Sequence, residues 1–322
     1  MDTRFIAHNM HLTDVHLFAQ HDPHLQVLAK QTYVYQASII DELPRAIPGI
    51  YTLCGGRQIG KTTLLKQWVL SLLNRGVAPE RIAYFTGELI DDHHALNKLI
   101  TNQLQEMPHE SMLYVIVDEV TYITGWDKAI KFLADAGLVR NVVLVLTGSD
   151  LMIIQESRMR FPGRRGKSDK TNFHLYSLSF REYLKLLDHL PIDDQNALAE
   201  PEVISSLYDC LKQYLIHGGY LTAINEYAQK GTISIATLDT YAEWVRGDML
   251  KRDRSEHYLR EIIEAIFKRY NSQVSWINLA QDLSIDHPKT VSDYISNLQS
   301  MDAVFVQQAI MEDKLVAAPK KT

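Results

Sequence analysis

Residues 55–63 read Gly55-Gly56-Arg57-Gln58-Ile59-Gly60-Lys61-Thr62-Thr63. They contain the phosphate-binding pattern G-x-x-x-x-G-K-[ST], placed on Gly55, Gly60, Lys61 and Thr62. Glycines let the backbone curl so that successive N–H groups point at phosphate oxygens. The lysine adds a point charge there, and the hydroxyl after it suits Mg²⁺. The flanks agree with this reading. Ile50-Tyr51-Thr52-Leu53-Cys54 is a short β-prone stretch ahead of the loop. Leu64, Leu65, Trp68, Val69, Leu72 and Leu73 follow it at helical spacing, with Gly76 as a stop signal and Pro79 beyond. Strand, glycine loop and helix stand in the order that aims a helix N-terminus at an anion. A glycine-rich turn with a chance lysine would not need these flanks.

The next apolar run, Leu113-Tyr114-Val115-Ile116-Val117, ends in Asp118-Glu119. A continuous apolar strand suits the middle of a parallel sheet covered on both faces. Acids at its C-terminal end stand where such sheets bind ligands. Asp118 is expected to hold Mg²⁺ through water, and Glu119 to polarise an attacking water. The pair favours hydrolysis over phosphoryl transfer to a small molecule. A third strand, Val142-Val143-Leu144-Val145-Leu146, ends in Thr147-Gly148-Ser149-Asp150. Ser149 reads either as a polar group facing the terminal phosphate or as an ordinary turn hydroxyl. Residues 81–86 (RIAYFT) read as a fourth strand.

The segments GGRQIGKTTLLKQW, RIAYFTGELIDD, YVIVDEVTYITGWDKAIKFLADAG, VLTGSDL, FPGRRG and YSLSFREYL together resemble the prokaryotic AAA+-superfamily ATPases that carry a C-terminal helical and winged-helix extension. The likeness covers residues 20–310. It implies a P-loop NTPase of α/β class, an AAA+/RecA-like parallel sheet sandwiched by helices, followed by an all-helical segment and a winged helix. It places the phosphate cradle on Gly55 to Thr63, with Gly56, Arg57, Gln58 and Ile59 inside it. The metal acid falls on Asp118, the catalytic glutamate on Glu119 and the sensor on Ser149. The family's arginine falls on Arg164 or Arg165, acting within the chain or toward a neighbouring subunit of a homo-oligomer. Those two arginines also read as part of a solvated basic loop from Arg158 to Lys170, or as a nucleic-acid contact. ATP and Mg²⁺ are the expected ligands. Tyr33 and Tyr35 are candidates for contact with the base, on a helix expected over residues 25–48.

The chain has 322 residues, 46% of them hydrophobic, and a net charge of −6. That length expects two or three domains. The charge offers no global basic field for nucleic acid or anionic lipid. No apolar run reaches the roughly 20 residues needed to span a bilayer. The first fifteen residues lack the blocks of a signal peptide, and two cysteines suit a reducing compartment, so a cytoplasmic location is expected. The histidines lack metal-ligand spacing. Ser179 and Glu182 form a capping box. The expected domains are a P-loop domain over 1–187, a helical extension over 203–256 and a winged helix over 257–322. The acidic stretch 188–202 divides the first two. A helical run from Leu207 to Trp244 is broken at Gly218-Gly219. In the last domain Ser275 caps a short helix, Pro288 opens another and Ala303 to Ile310 reads as a strand. The helix from Pro288 carries Lys289 as its sole positive side chain, beside Asp293. An unidentified protein partner is therefore favoured over DNA. Relatives continue past residue 322, so a shortened form is expected.

Two functional readings follow. One is an ATPase whose cycle moves the C-terminal extension. The other is a nucleotide-gated binding module with slow or no turnover.

Overall fold

Four stretches of the first 180 residues are apolar enough to be covered on two faces, and with a short fifth strand at one edge they pair into one parallel sheet. The computed structural model describes residues 2–107, 111–149, 151, 154, 159–161, 163–188, 200–270, 272–281, 283–285, 287–307, 310–311 and 316–317. The strands are β1 (Gly49–Cys54), β2 (Ile82–Thr86), β3 (Leu113–Asp118), β4 (Val142–Gly148) and β5 (Asn172–His174), in the order β2-β3-β4-β1-β5. Every neighbouring pair is parallel. Strand β4 therefore lies between the strand that leads into the glycine loop and the strand that ends in Asp118.

Side chains alternate between the two faces with period two. Ile50, Phe85, Val115, Val117, Leu144 and Leu146 face one core, with α3 (His93–Glu106) and α4 (Trp126–Asp135). Tyr51, Leu53, Tyr84, Ile116, Val143 and Val145 face the other, with α1 (Pro23–Ala29) and α2 (Lys61–Asn74). The apolar face expected on α2 is buried in full, from Leu64 to Leu73. Each such side chain contributes about 1.5–3 kcal/mol of gross burial energy. The helix ends as Gly76 foretells. Gly76 takes φ +84, its N–H donates to Leu73 O at 2.9 Å and that of Val77 to Leu72 O at 3.1 Å, closing two carbonyls a helix end leaves open. On α4, Trp126, Ile130 and Leu133 are buried while Phe132 is exposed.

The chain divides into two compact units, 1–239 and 240–322. The first holds α5 (Phe180–Leu187) and extends past residue 187 to include α6 (Pro201–His217) and α7 (Leu221–Lys230). Residues 189–199 of the acidic stretch lie outside the described residues. The capping box on α5 is present in both directions. The run from Leu207 breaks at Gly218, as expected, and a second time at Gly231, which ends α7 at φ +70.

The helix expected over 25–48 is not continuous. α1 stops at Ala29 and one short turn of helix spans Ile39–Glu42. Between them Tyr33 is drawn into a tertiary pairing. Its N–H donates to Asn225 Oδ1 at 2.7 Å and its carbonyl accepts from Asn225 Nδ2 at 3.1 Å. Those bonds replace the helical ones.

The second unit includes α9 (Glu256–Arg269), α10 (Trp276–Gln281), α11 (Pro288–Ser300) and a two-residue antiparallel ribbon, β6 (Ile310–Met311) with β7 (Val316–Ala317). The helix α8 (Ile235–Leu250) leads into it. The N–H of Asn278 donates to Ser275 Oγ at 3.1 Å, the expected cap. Val291, Tyr294, Ile295 and Leu298 of α11 are buried. On α9, Leu259 and Ile262 are buried, whereas Phe267, at helical spacing from them, is 74% exposed. The strand expected over Ala303–Ile310 is absent between 303 and 307. Asp302 turns the chain at φ +60, and an apolar run becomes a strand only where a ladder partner takes its backbone groups.

Candidate functional site

Strand β1 ends at Cys54 and the loop turns at once. A Cβ on Gly55 would stand 2.4 Å from the carbonyl oxygen of Leu175, so only glycine fits. Gly60 takes φ +96 and starts α2. The N-termini of α1, α3 and α5 are capped by Asp22, Asp92 and Ser179, whereas α2 has no side-chain cap. The first N–H groups of a helix lack intrahelical partners. At Lys61 to Thr63 they are offered to an anion at the positive end of the helix dipole.

Lys61, 5% exposed, donates to Gly55 O at 3.1 Å, Gly56 O at 3.0 Å and Ser149 Oγ at 3.0 Å. Burial lowers its pKa, and the charges of Glu119 and Asp118 work against that shift. Thr62 Oγ1 donates to Asp118 Oδ2 at 2.7 Å. The hydroxyl of Tyr84 donates to the same oxygen at 2.7 Å, and that of Thr147 donates to Oδ1. Thr147 Oγ1 also accepts from the N–H of Glu119 at 2.9 Å. Ser149 Oγ donates to Glu119 Oε1 at 2.7 Å, and that oxygen lies 3.6 Å from Lys61 Nζ. Glu119 sits in the left-handed region at φ 51.

Lys61, Thr62, Asp118, Glu119 and Ser149 thus meet at the C-terminal ends of three strands. The insertion of β4 between β1 and β3 makes this possible, because Thr147 and Ser149 bridge the gap. Sequence reasoning missed Thr147 and Tyr84 as partners of Asp118. Thr147 carried a signal, a hydroxyl at the tip of an apolar strand. Tyr84 carried none, because its reach depends on β2 pairing beside β3.

A pocket opens beside the loop. Gln58, Ile59, Gly60, Thr63, Leu64 and Gln67 form one wall, and Tyr33, Tyr35, Leu175 and Asn225 another. Both candidate tyrosines therefore line a cavity continuous with the phosphate cradle. Tyr35 also donates to Glu182 Oε1 at 2.8 Å. Its pKa is pushed up, first by burial and then by Glu182.

Arg164 and Arg165 are not brought to the loop of their own chain. Arg165 bonds Ile50 O, Thr52 Oγ1, Thr171 O and Asn172 Oδ1. Gly166 bridges Gly49, the first residue of β1. At roughly 3.3 Å per residue the backbone there is about 16 Å from the loop, while the Arg165 guanidinium on Thr52 is about 10 Å from it. Arg164 pairs with Asp135, the last residue of α4. That helix runs back from the Asp118 end of the sheet, so the pair also lies at the far end. The basic run is matched by acids elsewhere, Arg160 by Asp127 and Lys170 by Glu42. Arg158 lies outside the described residues.

A triphosphate with Mg²⁺ fits these residues. The uncapped start of α2 and the Lys61 ammonium suit phosphate oxygens. A threonine hydroxyl beside a carboxylate is a hard oxygen donor set of the kind Mg²⁺ takes.

A parallel sheet between two helical layers, with a glycine loop opening an uncapped helix, defines a P-loop nucleotide-binding fold. Residues 48–184 match the family model described as an AAA domain, and this segment is an AAA+ P-loop domain. Residues 208–322 match a domain of unknown function. An uncharacterized protein of Haemophilus influenzae is 24% identical over 256 residues, 77% of this chain and 58% of its own length. One of Methanocaldococcus jannaschii is 27% identical over 169 residues, 50% of this chain and 32% of its own. The chain thus spans between a third and three fifths of the curated relatives it matches. Among solved structures, the Walker-type ATPase of Pyrococcus abyssi aligns with a TM-score of 0.49 at 16% identity, over 78% of this chain and 84% of that one. The ORC2 protein of Aeropyrum pernix aligns at 0.43 and 16%, over 86% and 84%. Among the described residues no helix is long and apolar enough to cross a membrane.

Proposed function

We propose that the chain binds ATP with Mg²⁺ at residues 55–63, hydrolyses it to ADP and phosphate, and couples the cycle to its C-terminal extension. The observation that carries this reading is the hydrogen-bonded convergence of Lys61, Thr62, Asp118, Glu119 and Ser149. The N–H groups opening α2 and Lys61 bind the phosphates. Thr62 and Asp118 hold Mg²⁺, which supplies charge neutralisation on the phosphate oxygens. Glu119 takes the proton of the attacking water, and Ser149 orients its carboxylate. Tyr33 and Tyr35 border the base. Coupling is supported by Asn225 of α7, which holds the backbone of Tyr33 at the pocket wall.

Transition-state charge calls for an arginine. With Arg164 paired to Asp135 and the Arg165 guanidinium held by Thr52, Thr171 and Asn172, we read the finger as supplied by a neighbouring subunit. The three helices and ribbon of the second unit are read as a winged helix that docks a protein. Lys289 as the one cation on α11 supports that over DNA.

One observation favours slow turnover, the nucleotide-gated alternative. Glu119 is already engaged by Ser149 and close to Lys61, so it must be released before it meets a water. Steady-state turnover of Glu119→Gln decides between the readings. Hydrolysis requires turnover to fall by about 10²–10⁴ with ATP binding retained. Turnover equal to the native protein's would refute the role of Glu119.

A further inference from the structure

The carboxylate assigned to the metal is held by a tyrosine that is itself supported by residues ahead of the AAA match, which begins at residue 48. Tyr84, 1% exposed, stands on the edge strand β2 in register with Ile116. Its side chain therefore shares a face with Asp118, two residues further on, and its hydroxyl reaches Asp118 Oδ2 at 2.7 Å. Residues before position 48 hold Tyr84 in place. Asn9 bonds its backbone on both sides, accepting from the Tyr84 N–H at 2.7 Å and donating to the Tyr84 carbonyl at 2.7 Å. The imidazole of His8 stacks on its ring at 6.1 Å. The Lys66 ammonium lies 4.0 Å from the ring centroid, itself fixed by Asp22 Oδ2 at 3.1 Å and His8 O at 2.6 Å. Both Lys66 and Asp22 are 1% exposed. Lys66 follows Thr62 by four residues, on the same face of α2.

We propose that Tyr84 is a positioning residue for the Asp118 carboxylate, acting through its phenol hydroxyl from a strand against which residues 8–22 pack. This rests on the reading of Asp118 as the metal acid. The reason is geometric. Thr62 and Tyr84 share Oδ2, and Thr147 alone holds Oδ1. When the Thr62 hydroxyl turns to a metal, Oδ2 keeps only Tyr84 among these donors. The phenol then fixes the rotation of the carboxylate toward Thr62. Partners behind a metal-binding carboxylate typically govern 10–100-fold of metal affinity.

The test is Tyr84→Phe, which keeps the ring under Lys66 and removes the hydroxyl alone. Mn²⁺ binding is measured by electron paramagnetic resonance in the full chain with a non-hydrolysable ATP analogue. Analogue affinity is measured separately in EDTA. Mn²⁺ affinity should fall about tenfold or more, with metal-free nucleotide affinity unchanged. Mn²⁺ affinity within twofold of native overturns the proposal, provided Asp118→Asn loses it. If Asp118→Asn also retains Mn²⁺, the metal role of Asp118 fails and the positioning role with it. Asn9→Ala loosens β2 without touching the hydroxyl. It should cost thermal stability and spare Mn²⁺ affinity. An equal loss of Mn²⁺ affinity in Asn9→Ala would assign the effect to strand packing and overturn the proposal.

Discussion

Replacing Lys61 with methionine separates what this side chain does for the fold from what it does for a ligand. The ammonium is 5% exposed and donates to Gly55 O, Gly56 O and Ser149 Oγ at 3.0–3.1 Å. Three such bonds from a charged donor contribute about 1.5–3 kcal/mol each in net terms. Against them stands the cost of keeping a cation out of water, several kcal/mol after relaxation. Burial is the leading cause of its lowered pKa, which has the same origin. Methionine keeps the stem and releases that cost, and Glu119 keeps its bond from Ser149. Ligand-free stability should therefore change by less than about 2 kcal/mol, in either direction. Binding should respond quite differently. A lost charge-assisted contact to phosphate is worth about 1.5–3 kcal/mol, or about 10–100-fold in affinity. At a MgATP concentration of 100 times the native dissociation constant, the ligand stabilises the native protein by about 2.7 kcal/mol. A 30-fold weaker variant retains only about 0.9 kcal/mol at the same concentration. Urea unfolding with and without MgATP reads both quantities, and calorimetry gives the affinity directly. Native-sized stabilisation by MgATP in Lys61→Met would refute the placement of phosphates at this loop.

Stability should also depend on pH through His11, whose Nε2 donates to Ile82 O at 3.1 Å and whose buried Nδ1 has no partner. Burial holds its pKa down to about 4, so between pH 6.5 and 4 the unfolded chain binds a proton that the folded chain refuses. Stability then falls as pH falls through that window, by about 3 kcal/mol in all. His11→Gln should flatten this loss in urea midpoints compared at pH 7 and pH 4.5, and identical slopes would remove His11 as the cause. For a finger acting across subunits, ATP turnover per molecule should rise with protein concentration. A mixture of Arg164→Ala and Lys61→Ala proteins should then recover activity that neither has alone; a dead mixture and a flat dilution series would exclude the trans arrangement.

Local chemistry made much of the first unit legible in advance. The glycine loop is visible because phosphate contact needs glycine, lysine and threonine at fixed offsets. The strands β1, β3 and β4 show as apolar runs, α2 as a 3.6-residue repeat ending at Gly76, and α5 through Ser179 and Glu182. In the second unit Ser275 and Pro288 mark helix starts for the same reason: a cap or an N1 proline acts within one turn. Exposure was less legible. Phe132 and Phe267 share a helical spacing with buried neighbours, yet lie in solvent, because periodicity says nothing of how wide the opposing surface is.

Everything that depends on pairing distant segments was decided by the tertiary structure. The position of β4 between β1 and β3 brings Thr147 and Ser149 to Asp118 and Glu119. The edge position of β2 brings in Tyr84. Asn225, 192 residues from Tyr33, breaks the expected lead-in helix and shapes the pocket wall. The family pattern gives Arg164 or Arg165 a place at the nucleotide, but tertiary pairing engages Arg164 with Asp135 and Arg165 with Thr52, Thr171 and Asn172. Residue type and spacing encode what a segment does with its own backbone. Which side chains meet across the sheet follows from strand order, and strand order is set by how the two helical layers bury the sheet's faces.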